Sequence, residues 1–233
     1  MEDILEITYR YKFEDGSEIE FPLILNKKDL LLHSLPAGEP PFWGELAFNR
    51  CTVCSLDTQQ HNHCPIARNL SPVVAAFRDY FAYETVQVMV TTSERAYSKT
   101  ATIQEGLSAL LGIIMVTSGC PVMARLKPMV RFHLPFASLE ESTHRMLSMY
   151  LIAQLYRQRR GLSTDWDLTG LDAVYEDIGN VNEFFAKRLL AAAKKDANVN
   201  AMVNLDCLAK MVPFTVEELL EEMDGYFTAL LEL

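Results

Sequence analysis

Apolar and polar residues alternate near the start of the chain. Ile7, Tyr9, Tyr11 and Phe13 are separated by Thr8, Arg10 and Lys12, and after Glu14-Asp15-Gly16-Ser17 the alternation resumes with Ile19, Phe21, Leu23 and Leu25. Successive strand side chains point to opposite faces, so period two on both sides of a glycine turn predicts a β-hairpin with one buried face. Residues 26–41 change to charges, a Leu30-Leu31-Leu32 cluster and proline-rich text, which predicts a connector. Val86, Val88 and Val90 alternate with Gln87, Met89 and Thr91, and residues 96–102 can pair back on that strand. A lone hairpin is marginal in water, so all these strands are expected in one antiparallel sheet.

Residues 73–81 carry helical spacing with a charged face at Arg78 and Asp79, and from Ile103 onward the helical period persists. Residues 104–117 are apolar nearly all round and stop at Ser118-Gly119, the pattern of a buried helix ended by glycine. Lys127-Pro128 opens a connector, and Ser138 with Glu141 forms a capping box for a helix running to about Arg160. That helix places Leu147, Tyr150, Leu151, Gln154 and Leu155 at core spacing and Glu141 beside Arg145 as an i,i+4 pair. Residues 168–190 predict one long or broken helix and residues 196–211 another, which Pro213 is expected to break before Thr215 and Glu218 cap a last acidic helix. The expected architecture is a single α+β domain over residues 1–233, mainly β over 1–102 and helical over 103–233, with the antiparallel sheet packed on the helical half.

The bulk numbers narrow the function. A chain of 233 residues with 49% hydrophobic content can build a large core without help from a metal ion. Its formal charge of −10 argues against a broad phosphate-neutralising surface, so no nucleic-acid partner is expected. The longest apolar run, residues 107–116, is too short to cross a bilayer and is interrupted by Ser108 and Gly112, so no membrane partner is expected either. The acidic, alternating opening predicts neither a signal nor a transit peptide, which points to a cytoplasmic location. In a reducing compartment the five cysteines would be thiols or metal ligands.

Residues 49–70 hold three of the five cysteines and two of the five histidines. Cys51-x2-Cys54 lets two thiolates from one tight turn reach the same ion, and His61-x2-Cys64 repeats the spacing with an imidazole, a set that suits tetrahedral zinc. His63 competes with His61 for the fourth position, although its neighbour Cys64 would diverge from it. Cys120, in Ser118-Gly119-Cys120-Pro121, is the other candidate and would make the site all-cysteine. A Cys-Pro step follows both Cys64 and Cys120, a feature also found in iron–sulfur ligation, so a cluster is the alternative cofactor. Cysteines are common buried residues, but three in one polar loop are hard to explain by packing. Phe42 and Trp43 precede the stretch as aromatic anchors. Cys120 with His133 as its base is the competing thiol chemistry. Glu141 and His144 lack the second Glu-x-x-His of a di-iron bundle, and the chain has no phosphate loop, GxSxG or HExxH.

Several motifs together carry a family likeness: Cys51, Cys54 and Cys64-Pro65 with Ala67; Ser118-Gly119-Cys120-Pro121; Lys127-Pro128-Met129; and Arg131-Phe132-His133-Leu134-Pro135-Phe136-Ala137. They resemble an uncharacterised bacterial domain family of unknown function, over most of the chain from about Trp43. The resemblance implies no activity, but it makes Cys120 part of the signature beside the three loop cysteines. The expected function is a zinc-stabilised cytosolic binding or regulatory protein with a protein or small-molecule partner. Its rival is a metal- or thiol-dependent enzyme using Cys120 and His133.

Overall fold

The computed structural model describes residues 3–33, 35 and 38–233; Ser34, Pro36 and Ala37 of the expected connector lie outside them. The predicted hairpin forms as β1 (Ile4–Lys12) and β2 (Glu18–Asn26), antiparallel, with Tyr9 opposite Phe21 and Gly16 in the turn at φ 83°. β3 (Thr85–Thr92) pairs with β1, placing Val90 opposite Tyr9, and β4 (Ala96–Thr102) pairs back on β3, so the order across the sheet is β2-β1-β3-β4. One face buries Leu5, Ile7, Tyr9 and Tyr11 of β1 with Leu23, Leu25, Val86, Val88 and Val90. The intervening residues are mostly exposed, as expected for an antiparallel sheet covered on one side.

α1 (Pro65–Ala76) begins well before the predicted residues 73–81 and directly follows Cys64. Proline suits this start, because its missing N–H falls among the donors that a first turn leaves unpaired anyway. α2 (Ile103–Thr117) is opened by a Thr102/Glu105 capping box. It crosses the sheet at Gly106, where an added Cβ would sit 2.7 Å from Val88 Cγ2 and 3.2 Å from Tyr11 Cε1. The Tyr11 hydroxyl donates to the Gly106 carbonyl at 3.0 Å, tying helix to strand at that point.

The predicted connector after Lys127 contains a short helix, α3 (Lys127–Arg131), and α4 (Leu139–Arg159) starts at the predicted Ser138/Glu141 box. The expected Glu141–Arg145 ion pair does not form. Glu141 accepts the Ser138 N–H at 2.8 Å, while Arg145 Nη2 donates to the carbonyls of Met129 at 2.8 Å and Phe132 at 2.9 Å. These charge-assisted bonds to fixed carbonyls win over an exposed i,i+4 pair.

α5 (Thr169–Ala192) is followed by α6 (Ala197–Leu231), which packs on α2, α4 and α5. Pro213 lies inside α6, so the predicted break and separate last helix are corrected to one continuous helix. Val212, Val216 and Leu219 are buried on either side of the proline, and Thr215 Oγ1 bonds the Val212 carbonyl at 3.0 Å and Thr143 Oγ1 of α4 at 2.9 Å. Continued burial and these local bonds offset the one backbone bond that Pro213 cannot make. No described helix is long and apolar enough to cross a membrane.

Candidate metal centre

The segment after the connector is held by backbone bonds of its own. A 3₁₀ turn at Phe42–Gly44 buries Trp43, and the Gly44 carbonyl receives the Cys64 N–H at 2.9 Å. The Leu46 N–H donates to the Asn62 carbonyl at 2.9 Å, and Glu45 bridges His63 in a short antiparallel contact. Between these anchors the Cys54 N–H donates to the Cys51 carbonyl at 3.1 Å, closing the tight turn that the Cys-x2-Cys spacing predicts. Arg50 Nη2 braces that turn from outside, donating to the carbonyls of Cys54 at 2.9 Å and Leu56 at 2.7 Å.

Cys51, Cys54, Cys64 and Cys120 line one small cavity of about 20 Å³, together with Val181, Phe184, Phe185 and Arg188 of α5. His61 and His63 line a different pocket, beside Leu32, Ser118 and Gly119. Three chain segments therefore bring the four thiols together and leave both histidines outside. Among the described residues, no group of three or more His, Cys, Asp or Glu side chains is close enough to hold a metal ion as the side chains stand. The thiols surround a shared space and do not yet converge on a point.

Local structure prepares two of the four sulfurs to carry negative charge. Cys64 is the residue before the first turn of α1, where the N–H groups of Ile66 and Ala67 lie near its thiol without forming a side-chain capping bond. Cys120 follows Gly119, whose φ of 94° turns the chain, and the N–H groups of Val122 and Met123 lie near its thiol. Nearby backbone N–H groups favour the thiolate, but burial acts the other way and is the larger effect, so both thiols are pushed up. Burial and the neighbouring thiols Cys54, Cys120 and Cys64 push Cys51 up to about 12. Burial thus favours the neutral thiol at Cys51, Cys64 and Cys120.

Arg188 is the principal residue of the site that the linear reading missed. It is buried at 3% exposure, donates from Nη1 to the carbonyls of Trp43 at 2.6 Å and Glu45 at 2.7 Å, and reaches Leu46 O from Nη2 at 3.2 Å. Its charge lies near enough to Cys64, Cys51 and Cys54 to interact with each of them. A lone arginine among Phe184, Phe185, Leu189 and Leu190 was the available signal. Asn180 adds a second tie, accepting the Thr52 N–H at 3.0 Å. Trp43 anchors the segment as expected, through its buried ring and through its carbonyl.

His133 does not share this site. Its Nε2 is hydrogen-bonded to the Tyr9 hydroxyl at 2.5 Å, and its ring lines a larger cavity on the other side of α5. Burial, followed by the nearby Arg145 charge, lowers its pKa to about 4, so the ring is neutral near pH 7. His144 is exposed on α4.

Fold and site together define an α+β domain in which a cysteine-bearing connector is fastened to a long helix around a four-thiol cavity. The chain belongs to the family described as Domain of unknown function (DUF6901), which it matches over residues 7–228. No curated protein matches it, and no solved structure does.

Proposed function

We propose that this is a zinc-stabilised binding or regulatory protein of the cytoplasm, in which one ion held by Cys51, Cys54, Cys64 and Cys120 clips the connector and the turn after α2 to α5. The carrying observation is the meeting of four thiols, drawn from three chain segments, around one cavity from which both histidines are absent. A set of four sulfur ligands would be closed, as in structural zinc sites, and catalytic sites keep a position for water or substrate. The cavity of about 20 Å³ has room for about one water-sized sphere, which favours a single ion over a multi-iron cluster. Small side-chain rotations of the thiols would be needed to close on the ion. Arg188 and the backbone N–H groups near Cys64 and Cys120 would offset part of the negative charge of four thiolates. Five free cysteines fit a reducing compartment.

Elemental analysis of anaerobically purified protein tests this reading. A colourless protein with about one zinc per chain is expected from the four-sulfur set. In competition with a chromogenic chelator, Cys120→Ser should weaken zinc retention as much as Cys51→Ser, while His61→Ala leaves it unchanged. Iron with sulfide, or no metal after expression with ample zinc and iron, overturns the proposal.

A further inference from the structure

A second cavity, of about 390 Å³, lies between α2, α5, α6 and the α3–α4 segment, and it shares no lining residue with the four-cysteine cavity. Its volume falls within the ~300–1,000 Å³ of small-molecule sites. α5 is the partition: Ile178 and Asn182 line the larger cavity, whereas Val181, Phe184 and Arg188 line the thiol site. Most of the larger wall is aliphatic, from residues such as Ile113, Val116, Leu208 and Val212.

Among the polar side chains that break this apolar lining, Arg145, His133, Tyr175 and Asn182 come from α5 and the α3–α4 segment, with Ser108, Ser142 and Asn204 elsewhere on the wall. Arg145 acts electrostatically on both Tyr175 and His133, and Tyr175 and Asn182 are seven residues apart on one face of α5. Each has bonding capacity left over. Arg145 spends Nη2 on two carbonyls, leaving Nε and Nη1 of its five N–H donors. Tyr175 and Asn182 are buried, at 8% and 3% exposure, and make no side-chain hydrogen bond to another described residue. His133 uses Nε2 on Tyr9 and keeps Nδ1. These unpaired donors line the cavity, so a ligand that supplies acceptors there gains direct hydrogen bonds, the one to Arg145 charge-assisted.

The charge of this end is positive. Glu141 turns its carboxylate back to the Ser138 N–H, and the exposed pair Lys99 and Glu105 offset each other at the edge. We propose that the cavity binds an amphipathic monocarboxylate, its carboxylate on Arg145 with Tyr175 and Asn182 donating, and its apolar body along the aliphatic wall between α2 and α6. This inference rests on the binding-protein half of the proposed function and not on the ion.

Isothermal titration of the full chain with sodium decanoate, decan-1-ol and decyltrimethylammonium, each below its aggregation concentration, tests it. Decanoate should bind saturably at one site, the alcohol at least about ten-fold more weakly, and the cation not at all. Arg145→Gln should weaken decanoate by about ten- to a hundred-fold and leave the alcohol unchanged. Ala109→Trp, which fills the cavity from α2, should abolish binding of both and serves if Arg145→Gln does not fold. Equal or tighter binding of the alcohol or the cation would overturn the carboxylate assignment while leaving a binding protein. No binding by any of the three probes would overturn the cavity as a binding site, whatever the zinc content. Decanoate binding that survives in folded Arg145→Gln and Ala109→Trp would place it elsewhere and also overturn the inference.

Discussion

Arg188 and His133 illustrate how a single side chain is set by its surroundings. Arg188 donates to three carbonyls of the 43–46 segment, those of Trp43, Glu45 and Leu46, and these bonds hold its charge beside the cysteines. His133 is neutral for the opposite reason: burial and the Arg145 charge both oppose its protonation, and its pKa falls to about 4. In the unfolded chain an ordinary histidine titrates near 6.5, so between these two values the unfolded state binds more protons than the folded one. Stability from neutral His133 is therefore fully present above about pH 6.5 and is lost as the pH falls towards 4, by an amount on the order of 3 kcal/mol. Urea unfolding at pH 7 and pH 5 should show this loss, and His133→Gln, which keeps an amide for Tyr9 but no titrating group, should flatten the difference. An unchanged slope in the variant would remove His133 as its source.

Among the secondary-structure elements, periodicity predicted most of what formed and misjudged its ends. The hairpin, the returning strands, α2 and the cap of α4 lie where alternation and capping chemistry put them. α1 starts earlier than its apolar spacing suggested because Pro65 can open a helix, and α6 runs through Pro213 because burial continues on both sides. The α2–sheet crossing depends on one residue. At Gly106 an alanine methyl would sit 2.7 Å from Val88 Cγ2 in a fully buried contact, so strand and helix would have to part. Gly106→Ala is expected to cost about 1–3 kcal/mol through overpacking, despite the higher helix propensity of alanine. Thermal melts of the two proteins decide it, and an unchanged or raised midpoint would mean that the crossing yields.

Seen as a whole molecule, the domain is a four-stranded sheet covered by helices, with α5 dividing two cavities of different chemistry. Sheet and α2 form one continuous core that includes Tyr9, Tyr11, Leu107 and Leu110, whereas the cysteine connector lies at its edge with Cys51 and Cys54 only half-buried. Losing the proposed zinc clip should therefore loosen the connector and spare the core. In Cys51→Ser, hydrogen exchange should accelerate over residues 40–70 while the β1 and α2 amides stay protected and the thermal transition stays cooperative. Loss of that transition would show that the cysteine connector is integral to the core.

The α+β class, the strand alternation, the capping boxes and the Cys51–Cys54 turn were all legible in the chain, because each depends on neighbours within one or two turns of backbone. Family membership was legible too, through motifs spread along the sequence. Spacing left open whether His61, His63 or Cys120 stands with the other cysteines; the folded chain places Cys120 there and both histidines in the lining of a different pocket. Arg188 and the Arg145–Tyr175–Asn182 lining were equally hidden, since nothing local marks an arginine in α5 as the partner of carbonyls at 43–46. Local periodicity fixes which face of an element is buried, but which faces meet depends on how α2, α5 and α6 pack, and that packing alone brings distant polar groups to the walls of a cavity.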